Sequence, residues 1–369
     1  MIASRSLRCL ALCLLLAACG LPAAAVEYRI ETVAEGLEHP WSIAFLPDGR
    51  MLVTERAGRL RLIEDGRLLE DPVGGVPAAF VRSQAGLFEV LLDPRYEENG
   101  WIYLSLAHGD ARASGTRVVR GRLQGRELID VEVIFDIQPP RDRPVHYGAR
   151  MAFLGDGTLA IGLGDAFDYR EEAQRLDSHT GTIVRIRPDG SVPEDNPFVG
   201  QEGARPEIYS FGHRNVQGLV FDAATGRLWA HEHGPRGGDE LNLVQAGRNY
   251  GWPVATFGVD YSGARISPWT TRPGMEDPVL HWTPSIAPAG MTLYRGAQFP
   301  QWDGSLFVSA LVAQEVRRLV LEGDRVVSQE ALFGEVGARL RDVKVAPDGA
   351  LFLLTDSPRG QVLRVSALR

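Results

Sequence analysis

His146 and Asp165 are the first residues here whose types and spacing could do chemistry together. His146 opens the segment His146-Tyr-Gly-Ala-Arg150, which runs into an apolar strand, a Gly155-Asp156-Gly157 turn and a returning strand ending in Gly162-Leu-Gly-Asp165. Antiparallel pairing would carry Asp165 back to the end where His146 stands. An imidazole oriented by a carboxylate is a general base, and the same two groups could also form a simple capping hydrogen bond. A second cluster, Ser210-Phe-Gly-His-Arg214-Asn215-Val-Gln217-Gly218, crowds donors against a strand start. There Arg214 presents a rigid fork suited to carboxylate oxygens, with a surface turn as the plainer reading. His231-Glu-His233 puts two imidazoles on one strand face, as zinc would require, but brings no third ligand. Asp239 and Glu240, beside a glycine-rich loop, suit calcium or are solvated acids. Arg339 and Arg341 alternate on an incoming strand. Like charges on one face are costly unless they meet an anion, their neighbour Asp342 or solvent.

These groups need a scaffold that returns loops to one place. A single unit recurs: an apolar strand, an Asp/Gly turn and a second strand. It appears as Trp41–Phe45 with Arg50–Thr54, Phe88–Leu92 with Trp101–Leu104, and Arg150–Phe153 with Leu159–Gly162. It returns as Gly218–Phe221 with Leu228–Ala230, Met291–Tyr294 with Ser305–Val308, and Asp342–Val345 with Leu351–Leu354. Asp-Gly supplies the positive φ that tight hairpins need. Six copies predict an all-β, six-bladed β-propeller over residues 26–369, one domain with no linker. Further strands are expected at Gly181–Ile186 and Gln361–Val365, and no long helical periodicity is present. Long loops are expected at 107–147, 166–180, 187–207 and 232–290, and propeller sites usually form from such loops at one channel mouth.

The formal net charge of −8 argues against nucleic acid or an anionic membrane surface as partner. Arg5 and Arg8 followed by the apolar run Cys9–Ala18 read as an export signal over residues 1–25, too short to span a membrane. Leu16-Ala-Ala-Cys19 resembles a lipobox, while Ala23-Ala-Ala25 fits ordinary cleavage before Val26. The expected location is the periplasm, either soluble or as an outer-membrane lipoprotein tethered through Cys19. All three cysteines lie in this leader, so the folded domain has neither thiol nor disulfide.

Taken together, the motifs resemble the PQQ-dependent soluble glucose and aldose sugar dehydrogenase family over about residues 28 to 366. They are Gln84-Ala-Gly86, His146-x-x-x-Arg150, Gly-His-Arg-Asn-x-Gln-Gly at 212–218, Glu-His-Gly-Pro at 232–235, Gly-Gly-Asp-Glu-Leu-Asn at 237–242, Asn-Tyr-Gly-Trp-Pro at 249–253 and Arg-x-Arg-Asp at 339–342. The resemblance implies oxidation of an aldose at C1 to the lactone, with hydride passing to C5 of pyrroloquinoline quinone (PQQ). It implies His146 as the base, Asp165 as its partner and Arg214 beside the reacting centre. It implies Arg214, Asn215, Tyr261, Arg339 and Arg341 around PQQ, with Gln84 in the shared pocket and Trp282 walling the sugar. The carbonyls of Gly234 and Pro235 are implied ligands of a calcium that bridges to PQQ and polarises its carbonyl. Glu240 and Tyr250, joined by Asp260, are implied ligands of a second, structural calcium. The electron acceptor would be a quinone, a cytochrome or another carrier, and the protein a monomer or homodimer.

The sequence departs from the family where a lysine commonly reaches the cofactor: Ser309-Ala-Leu-Val312 carries valine instead. Losing a charged hydrogen bond should weaken PQQ binding by about 1.5–3 kcal/mol, with Gln314 or a nearby arginine as partial compensation. The alternative is a binding propeller that has lost PQQ. A channel-centred hydrolase such as a lactonase would need acid and Asn ligands at the axis, where the sequence places none.

Overall fold

The computed structural model describes residues 26–368; the expected export signal, with the lipidation expected as one alternative at Cys19, lies outside them. Among the described residues there are six antiparallel sheets of four strands each. Their first strands are Pro40–Phe45, Leu87–Leu92, Gly148–Phe153, Val216–Asp222, Pro288–Leu293 and Leu340–Val345. Each touches the first strand of the next sheet, and the sixth touches the first, so the ring closes into the expected six-bladed propeller. The strand Tyr28–Leu37 seals it by pairing with Gly360–Ala367 as the outermost strand of the sixth blade.

The turns repeat down to single hydrogen bonds. The N–H groups of Leu46, Leu154 and Ala346 each donate to a carbonyl four residues on, all at 2.8 Å. In each turn an aspartate (Asp48, Asp156, Asp348) accepts the N–H two residues later, and the following glycine has φ between 81 and 89°. Side-chain capping and a left-handed glycine therefore specify the same hairpin in three blades.

The second strands Met51–Glu55, Leu159–Leu163, Leu306–Ala310 and Leu351–Thr355 are buried throughout. Both their faces pack on neighbouring blades, so they read as unbroken apolar runs. Third and fourth strands are harder to see: Asp239–Val244 is almost wholly buried yet begins on two acids, and Glu127–Asp136 exposes four residues in a row. Two stretches expected as loops hold them: 107–147 contains Ser114–Gln124 and Glu127–Asp136, and 232–290 contains Asp239–Val244 and Leu280–Trp282. Charged residues at their solvent positions mask the alternation. Stretches 166–180 and 187–207 contain no strand apart from short helical turns at Arg170–Gln174.

The axis is ionic. Arg150, buried among the first strands, faces Glu89 at 3.4 Å and Asp342 at 3.3 Å. Its Nε donates to the Gln217 carbonyl at 2.9 Å, and its guanidinium lies 3.9 Å from the ring centre of Trp41. Lys344, the chain's one lysine, also pairs with Glu89, at 3.1 Å. Two acids and two cations thus neutralise each other inside the channel. Where a channel-centred calcium would sit, a guanidinium stands.

Candidate active site

The site is built mainly from loops that enter a first strand or leave a second one, joined by Trp252 and Tyr261 from the long loop between the third and fourth strands of the fourth blade. Gly148 pairs with Leu163, so the loop before Gly148 and the loop after Leu163 meet. His146 and Asp165 stand on these two loops. Nδ1 of His146 lies 2.7 Å from Oδ1 of Asp165. That oxygen also accepts the N–H of Phe167 at 2.8 Å, and Oδ2 accepts Nε1–H of Trp252 at 2.8 Å. The carboxylate therefore receives three donors, and the His146 proton sits on Nδ1. Nε2 keeps its lone pair and has no partner among the described residues, while the ring lines the main cavity. Gln84 holds the base from behind, its Oε1 accepting the His146 N–H at 2.9 Å. His146 has φ 54°, a left-handed backbone uncommon for a side-chain-bearing residue and frequent where function demands it.

Burial lowers the His146 pKa, and Asp165 only partly counters it. Burial works against an ionised Asp165, but the His146 hydrogen bond and charge, Arg214 and the Phe167 N–H together hold its pKa below the ordinary carboxylate range. At neutral pH the pair is a neutral imidazole on a carboxylate, the state a general base needs.

The main cavity has a volume of about 690 Å³, within the range of small-molecule sites. Gln84, His146, Arg214, Pro235, Tyr261 and Val312 all line it. Arg214 is buried; Nη1 donates to the carbonyls of His233 at 3.0 Å and Gly234 at 2.8 Å, and Nε has no partner. A second hollow of about 280 Å³ lies alongside, lined by Trp41, Arg56, Asn215, Arg339, Arg341 and Asp356. Oδ1 of Asn215 accepts the Gly148 N–H at 3.1 Å, tying the third blade to the fourth.

Arg339 and Arg341 do share a face, but their acidic partner is Asp356, at 3.4 and 3.2 Å, and not Asp342, which the channel arginine takes. His39 reaches the same carboxylate at 2.8 Å. Burial opposes ionisation of Asp356, yet Arg341, His39 and Arg339 bring its pKa down to about 2. Arg56 adds a further guanidinium, bonded at 3.0 Å only to the Ser83 carbonyl. One carboxylate among three arginines and a histidine leaves the hollow cationic.

Several expected residues stand elsewhere. Trp282 lines none of the cavities described for this site: it is buried with Leu241 and Met291, and Nε1 donates to Gln329 at 3.1 Å, because its strand is the outermost of the fourth blade. Thr283, Pro284 and Ser285, just after it, line the cavity instead. Asp260 does not join Glu240. It accepts from Ser262 and faces Arg170 at 3.6 Å on the rim, with Tyr261 beside it. The charges facing Glu240 are Glu232, Asp239 and Asp277; burial first, then Glu232, raise its pKa well above the usual range. Oδ1 of Asn242 lies beside them, buried and unpartnered, while its amide nitrogen donates to Glu232 at 3.1 Å. A hard cation with oxygen ligands would relieve this crowding. The Tyr250 hydroxyl is already used, donating to Leu243 at 2.7 Å and accepting from Gln245 at 2.8 Å, so only its carbonyl is left as a ligand. Asp239 is a clamp: it accepts N–H groups of Gly234, Ile286 and Ala287 and the Ser285 hydroxyl, joining two loops of the mouth. His231 and His233 do not converge. His233 donates to the Pro288 carbonyl at 2.7 Å, and the His231 ring packs against Gly218 with both nitrogens unpartnered.

Sequence reasoning missed Trp252, Phe167, Arg56 and Asp356. Repeat phase could have found Asp356, which follows Leu351–Thr355 much as Asp165 follows Leu159–Leu163. No local pattern points Trp252 at Asp165.

Comparison with known proteins gives the family. A profile of the Glucose / Sorbosone dehydrogenase family matches residues 37–364. The Aldose sugar dehydrogenase YliI of Escherichia coli (strain K12) is 41% identical over 350 residues, covering 93% of this chain and 94% of that protein. A crystal structure titled glucose dehydrogenase superposes with a TM-score of 0.90 at 45% identity, over 92% of this chain and 100% of that one. The PQQ-bound form of Aldose Sugar Dehydrogenase from Streptomyces coelicolor matches with a TM-score of 0.73 at 29% identity, over 93% of this chain and 100% of that one. The match across nearly the whole propeller shows that the chain belongs to the glucose/sorbosone dehydrogenase family.

Proposed function

We propose that this protein is an exported, PQQ- and calcium-dependent dehydrogenase that oxidises aldose sugars at C1 to lactones. The observation that carries the reading is the free Nε2 of His146, held by Asp165 in a cavity that borders a cationic hollow. A neutral imidazole with its lone pair on the cavity accepts the proton of the C1 hydroxyl. Asp165 then stabilises the imidazolium without taking the proton itself. Gln84 and the left-handed backbone at His146 hold the base at a fixed height.

The donor set fits the cofactor. PQQ carries three carboxylates, which Arg339, Arg341, Arg56 and the unpartnered Nε of Arg214 would hold, with Asn215 and Tyr261 available as further contacts. The carbonyls of Gly234 and Pro235 would hold the cofactor's calcium, and Glu240 with the Tyr250 carbonyl a second ion beside the orphaned Asn242 oxygen. When bound, PQQ with its calcium would supply the two-electron acceptor and the Lewis acid of the reaction. Val312, 61% exposed on the main cavity wall, offers no charge there. Arg56 makes up part of that deficit in the adjoining hollow.

Reconstitution of the purified apoprotein with PQQ and calcium, followed by dye reduction with several aldoses, tests the reading. Cofactor uptake by absorbance and sugar-dependent turnover are expected. Absence of uptake would sink it. With uptake, His146→Ala should abolish turnover and leave PQQ bound; persistent full activity removes the base assignment.

A further inference from the structure

Trp252 belongs to the fourth blade, yet its indole serves the third. It lies in the long segment between the strands Asp239–Val244 and Leu280–Trp282. Its side chain is buried, and Nε1–H donates to Oδ2 of Asp165 at 2.8 Å. The Arg214 guanidinium, on the wall of the main cavity, lies over the same ring, 5.3 Å from its centre. One indole therefore meets both the partner of the base and the arginine beside it.

The indole is held from both sides of the blade boundary. Gln174 stands on the segment that follows Asp165 in the third blade, and Asn249 on the segment of Trp252 in the fourth. Their amides exchange two hydrogen bonds, Gln174 Nε2 to Asn249 Oδ1 at 3.0 Å and Asn249 Nδ2 to Gln174 Oε1 at 2.8 Å. Gln174 Nε2 also donates to the Trp252 carbonyl at 2.7 Å, and the Trp252 N–H donates to the Gly212 carbonyl at 2.9 Å. A Cβ on Gly212 would collide with Asn249 Oδ1, so glycine lets the two segments close this far. Ordering two amide side chains costs conformational entropy, and what they fix is the backbone that aims the indole.

The two Asp165 oxygens are not shared evenly. Oδ1 takes both His146 Nδ1–H and Phe167 N–H, while Oδ2 has Trp252 as its one partner among the described residues. A donor on Oδ2 stops the carboxylate from turning about its Cβ–Cγ bond, and that rotation decides where Oδ1 points. We propose that Trp252 is a positioning residue for the base: its indole N–H fixes the Asp165 carboxylate, and through it the tautomer and aim of His146. The inference rests on the reading above that His146 is the base of the sugar oxidation.

The test is a double-mutant cycle of Trp252→Phe and Asp165→Asn in the PQQ- and calcium-loaded protein. A packing role would add two losses, and a positioning role reverses the sign of one. Trp252→Phe keeps an aromatic body and removes the donor, so kcat should fall about tenfold with KM within about twofold, as for one lost charge-assisted hydrogen bond. In Asp165→Asn the same replacement should help. The amide NH2 then no longer confronts an indole N–H, so the amide oxygen can accept from His146 and Phe167 together. The double variant should turn over at least about threefold faster than Asp165→Asn alone. A gain under about threefold there, or a loss under about threefold in Trp252→Phe, overturns the proposal. The His146 tautomer in the cofactor-free protein, read from its ring-nitrogen shifts by nuclear magnetic resonance, answers without turnover. The proton should sit on Nδ1 in the wild type, on Nε2 in Asp165→Asn and on Nδ1 again in the double variant. If the loaded protein oxidises no sugar, the aldose reading fails, while this pattern still supports the positioning role. A proton on Nε2 in both asparagine variants overturns it.

Discussion

Replacing Asp165 by asparagine keeps the shape of the site and removes one charge, which isolates what the carboxylate does. Asp165 accepts three donors: His146 Nδ1–H at 2.7 Å, Phe167 N–H at 2.8 Å and Trp252 Nε1–H at 2.8 Å. An amide has one acceptor oxygen and one donor group. If the oxygen faces His146 and Phe167, the amide NH2 confronts the indole N–H. If it faces Trp252, the NH2 confronts the Phe167 N–H and forces His146 to accept at Nδ1, which moves the imidazole proton onto Nε2 and abolishes the base. Either orientation leaves buried donors opposed, a stability cost of about 1–3 kcal/mol. The lost base and the lost support for the imidazolium together should lower kcat by roughly 10²- to 10⁴-fold. The assay is dye-coupled turnover at saturating sugar, with PQQ uptake read by absorbance and a thermal midpoint measured alongside. Wild-type uptake, a modest loss of midpoint and a large loss of kcat are expected. A kcat within about threefold of wild type, with cofactor bound, would refute the argument that the carboxylate sets the tautomer.

Four further outcomes are expected. Burial lowers the pKa of His146, so the acid limb of kcat/KM should fall below 6.5, and a limb above that value contradicts the burial argument. Burial likewise lowers His179 and His231. The unfolded chain then binds protons near pH 6.5 where the folded one does not, so stability is full above that pH and falls below it. The loss is up to about 1.4 kcal/mol per pH unit for each histidine, and equal urea midpoints at pH 7.5 and 5.5, values chosen roughly one unit either side, would refute it. Arg150→Met should cost about 3–5 kcal/mol in urea unfolding, because Glu89 and Asp342 stay buried with only Lys344 between them; a loss under about 1 kcal/mol would show that the channel cluster is solvated. Val312→Lys returns a cation to the main cavity wall and should tighten PQQ binding about tenfold or more, read by fluorescence titration of the apoprotein, with no change as the contrary result.

The hairpins and the His146–Asp165 pairing are legible in the sequence because both are local. Asp48, Asp156 and Asp348 each cap a turn two residues away, and Gly148 pairs with Leu163 within one hairpin, so His146 and Asp165 had to meet. The outer strands are not legible, since Glu127–Asp136 exposes four residues in a row, Asp130–Val133, and Ser114–Gln124 sets Arg117, Arg120 and Arg122 among its apolar residues, so neither keeps a clean alternation. The expected metal and sugar ligands fared unevenly for a similar reason. A motif names Tyr250, Asp260 and Trp282, but it does not say that one hydroxyl turns inward to Leu243, one carboxylate turns out to Arg170 and one indole joins the core between blades.

What the sequence determines by itself is the repeated strand–turn–strand unit, the number of blades and the histidine with its carboxylate, all products of short-range turn chemistry and hairpin register. What only the tertiary structure decides is which blades' loops share a charge. Trp252 reaches Asp165 from 87 residues away, and Asp356 gathers Arg339, Arg341 and His39 from both ends of the chain. The His39 contact exists because the ring closes, with Tyr28–Leu37 laid against Gly360–Ala367, and the Trp252 contact because the third and fourth blades stand side by side; blade packing and ring closure are long-range events that no local pattern encodes.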